Sequence, residues 1–268
     1  MSRAGLYSAP DDAELILAAA DLPEPVRAIL LDIEGTTTPI DFVYGTLFPF
    51  ARARIGDFVQ RHRDRADVRE DIQALRAEYA LEDSQAPGLP AWPGGSANAE
   101  ADSAVNYALW LMERDRKSTP LKSLQGKIWE AGYLSGELRG QLFPDVAPAF
   151  RRWRAQGRAM AIFSSGSVLA QKLLFAHSTA GDLGSFISAY FDTTTGPKQD
   201  AHSYGRIAAA LGFPPAEMLF LSDVVAELDA ARAAGAATLL CMRPGHPSLS
   251  TCTAGEHSAV HSFDEIFP

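Results

Sequence analysis

The sequence predicts an α/β fold, a doubly wound parallel sheet whose first crossover carries an all-helical insertion. Three observations lead there. Short apolar or β-branched runs recur along the chain, each followed by a segment of helical period, and such alternation argues for right-handed βαβ units. The runs are continuously apolar rather than alternating, as strands buried on both faces are. One long stretch, 52–140, has helical period and little strand character.

The elements follow in order. "VRAILL" (26–31) reads as the first strand, apart from Arg27. "IGDFVQRHRDRADVREDIQALRAEYALE" and "NAEADSAVNYALWLMERDRKSTPLKSLQGKIWEAGYLSGEL" read as helices, with "DSQAPGLPAWPGGSAN" between them as a Pro, Gly and Ser-rich loop. "RAMAIFSS" (158–165), "SFISAYFD" (185–192), "EMLFLSD" (217–223) and "ATLLCM" (237–242) complete the strands, with helical segments after the first three. The expected division is a Rossmann-like core of 1–51 and 141–268, with 1–25 as an N-terminal extension, and a helical cap of 52–140. An insertion after the first strand would lie over the carboxyl edge of the sheet, where such sheets bind ligands. No internal repeat is present.

The chain has 268 residues, 47% of them hydrophobic and 21% charged, enough to build a packed core. A formal charge of −9 argues against nucleic acid or an anionic membrane as partner. It leaves room for a small anionic substrate, because a metal ion can reverse the local field. Two cysteines, Cys241 and Cys252, with no CxxC and no HExxH, fit a reducing compartment. The acidic, interrupted N-terminus is no secretory signal, and no apolar segment approaches the roughly 20 residues that span a bilayer. The expectation is a soluble cytoplasmic protein.

The chemistry-bearing residues gather at predicted strand ends. "LLDIEGTTTPI" ends the first strand in Asp32 and Glu34, two apart and hence on one face of an extended chain. A sharp turn at Gly35 could bring the second carboxylate above the first, raising one pKa; Asp and Thr are equally common as plain turn residues. "FSSGS" (163–167) offers hydroxyls and backbone N–H groups to a phosphate, or an ordinary serine N-cap. In "TTTGPKQD", Lys198 follows Gly196 and Pro197 and could act as a point charge. Asp223 closes the strand "EMLFLSD", and Glu227 follows four residues later near a helix start, where the dipole alone favours acids. Carboxylates from separate strand ends are how Mg²⁺ is commonly held.

This order of residues resembles the haloacid dehalogenase superfamily of aspartate-dependent phosphohydrolases. Glutamate in place of the usual second aspartate, within "LLDIEGTTTPIDFVYGTLFPFA", is similar to the enolase-phosphatase (acireductone synthase) branch of methionine salvage. "KSLQGKIWEAGYLSGELRGQLFPDV" and "YFDTTTGPKQDAHSYGRIA" are similar to that branch too, and the resemblance runs from about residue 26 to the C-terminus. It implies Asp32 as nucleophile and metal ligand, and Glu34 as general acid/base with its backbone carbonyl on the metal. It implies Ser164 and Ser165 as the phosphate site, Lys198 as the neutralising cation that also contacts substrate, and Asp223 as the remaining metal ligand. Glu227 falls where many members of the superfamily carry a second acid.

The implied cofactor is one Mg²⁺ per subunit, and the implied form a monomer. The implied reaction is enolisation and dephosphorylation of 2,3-diketo-5-methylthiopentyl-1-phosphate to 1,2-dihydroxy-3-keto-5-methylthiopentene. An apolar pocket for the methylthio end would draw on the insertion, where Trp110, Lys122, Gln125, Trp129 and Tyr133 are candidates. Gln125, Trp129 and Tyr133 share a helical face, a spacing equally suited to cap core. The rivals are a phosphatase for another small ester, a metal-independent dehalogenase, a phosphomutase and a non-catalytic binding protein.

Overall fold

The computed structural model describes residues 25–244 and 257–268. The N-terminal extension expected over 1–25 lies, except for Pro25, outside the described residues, as does Cys252. Six strands form one sheet: β1 (Ala28–Leu31), β2 (Ala159–Phe163), β3 (Ile187–Phe191), β4 (Met218–Ser222), β5 (Ala237–Cys241) and β6 (Ser258–Val260). Their order is β3-β2-β1-β4-β5-β6 and all pairings are parallel. The short strand β6 is the one element of the sheet that the sequence pattern did not suggest.

Every residue of β1 and β4 is buried, because helices cover both faces. Ile29 and Leu31 face a core shared with Phe150 and Trp153 of α6 (Val146–Ala155) and Phe175 of α7 (Val168–Ala176). Ala28 and Leu30 face the opposite core, with Tyr204 and Ile207 of α8 (Ala201–Leu211) and Leu228 of α9 (Val225–Ala233). Arg27, just outside β1, keeps its head group at the surface, 3.2 Å from Glu217 and 4.7 Å from the Phe213 ring centroid. The chain leaves β1 toward β2 and leaves β4 toward β5, on the other side. The crevice between the carboxyl ends of β1 and β4 is therefore the topological switch point, where ligands bind in open α/β sheets.

Between β1 and β2 the chain is helical. A short helix α1 (Ile40–Phe42) runs through a five-residue π segment (Val43–Leu47) into α2 (Phe48–His62). Three more helices follow: α3 (Ala66–Tyr79), α4 (Ala97–Glu113) and α5 (Thr119–Ser135). They bury a core of their own around Ile55, Val59, Leu75, Tyr107 and Leu124. Ser96 and Ser118 cap α4 and α5 with side-chain bonds to Ala99 and Leu121 N–H, and Gly136 ends α5 in the left-handed region, as caps of these types do.

The return to the sheet passes through Gly140, whose N–H donates to His177 O at 2.9 Å and whose O accepts from Thr179 N–H at 2.8 Å. A Cβ at Gly140 would lie 2.3 Å from Leu174 O, whereas one at Gly126, inside α5, would meet nothing within 4 Å. Gly140→Ala is expected to lower unfolding free energy by about 1–3 kcal/mol, through a forced backbone shift. Gly126→Ala should raise it by about 0.5–1 kcal/mol, through helix entropy. Urea unfolding of the two variants side by side checks the opposite signs.

Candidate active site

The sheet delivers its acids by continuing one residue past each strand. Asp32 N–H still donates to Leu221 O at 3.0 Å, so the ladder between β1 and β4 holds its backbone, and the residue is 3% exposed. Its Oδ1 accepts from Ile33 N–H at 2.7 Å and from Lys198 Nζ at 2.6 Å. Ser222 Oγ stands 3.4 Å from Oδ2.

The chain then turns tightly. The N–H groups of Thr36, Thr37 and Thr38 all converge on Ile33 O, and Gly35 N–H returns to Thr38 O at 2.9 Å. Gly35 has φ +69°, and a Cβ there would sit 2.1 Å from Asp223 Oδ2. Glycine is thus required twice, for the turn and for the close approach of the β4 acid.

The turn carries Glu34 toward β2, where its Oε2 accepts from Ser164 Oγ at 3.3 Å. Ser164 is 1% exposed; its N–H donates to Phe191 O at 3.2 Å and its Oγ accepts from Gly166 N–H at 3.1 Å. Ser165 beside it is exposed, and Ser167 caps α7 through Ala170 N–H. Gln171, which sequence reading passed over, braces this loop by donating from Nε2 to Gly166 O at 2.8 Å and Phe191 O at 2.9 Å.

Lys198 arrives from the loop after β3. Its backbone O accepts from Tyr204 OH at 2.7 Å, and Pro197 O accepts from Ser203 Oγ at 2.8 Å. Its ammonium bridges Asp32 and Glu227, the latter at 2.7 Å. Ser222, also unremarked in the sequence and wholly buried, donates to Glu227 Oε2 at 3.0 Å and accepts from Val224 N–H at 3.1 Å. Asp32, Glu34, Ser164, Lys198, Asp223 and Glu227 therefore meet at one sheet edge.

The electrostatics of this edge are lopsided. Burial, then repulsion from Asp32, pushes the carboxyl groups of Glu34, Asp223 and Glu227 each up to about 7. Burial works to lower the Lys198 pKa, but the carboxylates of Asp32 and Glu227 outweigh it and raise it. Three acids driven toward protonation mark a site with more negative charge than its ammonium balances. Among the described residues no three His, Cys, Asp or Glu side chains form a ready-made metal cage. Hard oxygen donors from separate strand ends nonetheless suit Mg²⁺, which is bound through one or two carboxylates and keeps several non-protein ligands. The donor set fits.

The aromatic candidates of the helical region divide. Trp110 lies inside the helical core, with Nε1 donating to Pro87 O at 3.2 Å and its ring stacked on Tyr107 at 5.8 Å. Lys122 is exposed, and Gln125 is buried. Trp129 donates to Leu47 O at 2.8 Å and Tyr133 stacks on His177 at 5.8 Å. Those two join the helices to the π segment and to the core.

Comparisons with known proteins give the family. The family described as haloacid dehalogenase-like hydrolases matches residues 26–235. Enolase-phosphatase E1 of Synechococcus elongatus is 56% identical over 91% of this chain and 99% of its own. The protein of the same name from Azotobacter vinelandii is 48% identical over 88% of this chain and 99% of its own. The crystal structure of the UTR4 protein of Saccharomyces cerevisiae superposes with a TM-score of 0.71 at 32% identity, covering 89% of this chain and 99% of that one. CbbY from Rhodobacter sphaeroides, at 19% identity and a TM-score of 0.53 over 90% of this chain and 96% of its own, shares the fold. With its acids on the ends of β1 and β4 and its relatives of full length, the chain belongs to the enolase-phosphatases of the haloacid dehalogenase-like hydrolase family.

Proposed function

We propose that the protein enolises and then dephosphorylates 2,3-diketo-5-methylthiopentyl-1-phosphate, yielding 1,2-dihydroxy-3-keto-5-methylthiopentene in methionine salvage. The observation that carries this reading is the contrast on one turn. Asp32 is held 2.6 Å from Lys198, while Glu34 beside it is pushed up to about 7.

A carboxylate so placed can attack phosphorus, and an acid near 7 can both give and take a proton at neutral pH. In the first half-reaction a carboxylate oxygen of Asp32 forms the new P–O bond. The bond from phosphorus to the C1 oxygen breaks, and Glu34 protonates the departing oxygen. In the second, Glu34 takes a proton from water as the water oxygen attacks phosphorus, phosphate departs and Asp32 is regenerated. The covalent aspartyl-phosphate divides one difficult displacement into two. Lys198 offsets the repulsion between nucleophile and phosphate dianion, and Ser164 and Ser165 hold the phosphate. Asp32, Asp223 and the Glu34 carbonyl would hold one Mg²⁺ per subunit, which would supply charge neutralisation and Lewis acidity toward phosphate and diketone.

Of the described residues, 52–140 form the cap over a core of 25–51, 141–244 and 257–268, and Trp129 and Tyr133 tie cap to core. The form proposed is the monomer that the resemblance implies. No described helix is long and apolar enough to cross a membrane, and Cys241 is a buried free thiol; both suit a cytoplasmic enzyme.

Absorbance of the acireductone product should appear when the diketo phosphate is mixed with the enzyme and Mg²⁺, and should vanish after chelation. Phosphate release from simple esters but not from the diketone would assign the site to another small phosphate ester. Asp32→Asn should retain the fold by circular dichroism and lose phosphate release by at least about 10³-fold; turnover within about tenfold of the parent would refute nucleophilic attack. Glu34→Gln should accumulate phosphoenzyme, seen as acid-stable ³²P or as added mass on the peptide containing residue 32.

A further inference from the structure

We infer that Arg243 is a positioning residue for the reaction, acting on the turn that carries Asp32 and Glu34; the inference rests on the function proposed above. Arg243 follows β5, far in sequence from the acids, yet it is 4% exposed and its Nε donates to Thr36 O at 2.9 Å. Its Nη1 donates to Asp145 Oδ2 at 2.6 Å and to His261 O at 3.2 Å. The guanidinium lies between two rings, 4.6 Å from the Phe143 centroid and 4.3 Å from that of Phe263. One cation thus joins the catalytic turn to the start of α6 and to the C-terminal segment.

The turn needs such a tether. One side of it is not packed solid: a partly open cleft of about 70 Å³ lies between Gly35, Ile40, Asp41, Phe143 and Arg243. Thr36 Oγ1 and Thr38 Oγ1 are buried without a hydrogen-bond partner, as is Nη2 of Arg243 itself. Among the described residues these groups find no protein partner, so the bonds that hold the turn are those to its backbone carbonyls. From outside the turn, Thr36 O is held by Nε of Arg243 and Thr37 O by the N–H of Phe143 at 3.0 Å. Pulling on the Thr36 carbonyl fixes the Thr36–Thr37 peptide, the C-terminal side of the turn, and Gly35 N–H bonded to Thr38 O ties that side back to the segment carrying Glu34.

Arg243 also neutralises the buried carboxylate of Asp145, whose side chain is 10% exposed, so truncation alone would confound positioning with stability. The test therefore compares Arg243→Met, Arg243→Lys and the double variant Arg243→Met with Asp145→Asn. Three quantities are read: kcat and KM on the diketo phosphate, melting temperature, and amide hydrogen exchange at residues 36–38.

The expected result is a kcat at least tenfold lower in all three, KM within threefold of the parent, and exchange at residues 36–38 at least tenfold faster. The double variant should regain melting temperature without regaining kcat, since Lys and Met both lack the Nε donor. Recovery of kcat together with melting temperature would overturn the inference, as would unchanged exchange at 36–38. An inactive parent enzyme would count against the proposed function instead, and the exchange measurement would still decide the tether. Should Arg243→Met fail to fold, Arg243→Lys keeps the charge beside Asp145 and carries the same reading.

Discussion

The ion pair between Lys198 and Asp32 is the interaction on which the site depends. Asp32 is brought to the switch-point crevice by a strand with no exposed residue, at a place where a carboxylate has almost no water. Its side chain and that of Lys198 are 4% and 10% exposed, and losing one partner of a buried pair typically costs about 3–5 kcal/mol. Lys198 is itself held from behind by Glu227, and Glu227 by Ser222, which stands beside Asp32 again. The four side chains close a ring. Within it neither Asp32 nor Lys198 can turn away without stripping a partner from another member.

The ring also explains why the remaining acids behave as they do. Glu34 and Asp223 are pushed toward neutral pH first by burial and then by the neighbouring Asp32. One of these shifts equips Glu34 to move protons. The other leaves the β4 acid in want of a cation, which is the electrostatic case for a divalent ion between the ends of β1 and β4. The proton transfer and the metal ligation proposed above would thus both draw on a single arrangement of buried charge.

Much of this was legible in the chain. Strands buried on both faces are written as unbroken apolar runs, so the polar residue at which each run stops, Asp32, Ser164 or Asp223, announces the carboxyl edge. What escaped notice has no period and no unusual composition. Ser222 looks like the last residue of a strand, Gln171 like the middle of a helix, and Arg243 like a loop cation. Each acts through a contact with a segment distant in sequence: Gln171 with the end of β3, Arg243 with Thr36. Strand β6 is three residues long, below the length at which pattern can be read. Trp110 shows the opposite hazard. An aromatic in an insertion over an active site invites a substrate role, yet its ring serves the helical core.

The glutamate at position 34 rewards the same geometric reading. Its Oε2 reaches Ser164, which belongs to the loop after β2, while its backbone belongs to the turn after β1. An aspartate would be shorter by one carbon–carbon bond, about 1.5 Å, and from an already long 3.3 Å contact it would fall outside hydrogen-bonding range. With glutamate, the carboxyl group spans two strand ends and lies between the nucleophile and the serine loop. Under the proposed mechanism, a proton would be passed from there to the oxygen leaving phosphorus. The turn at Gly35 and the tether from Arg243 then have a shared purpose, because a longer side chain gains reach only if its backbone is held still.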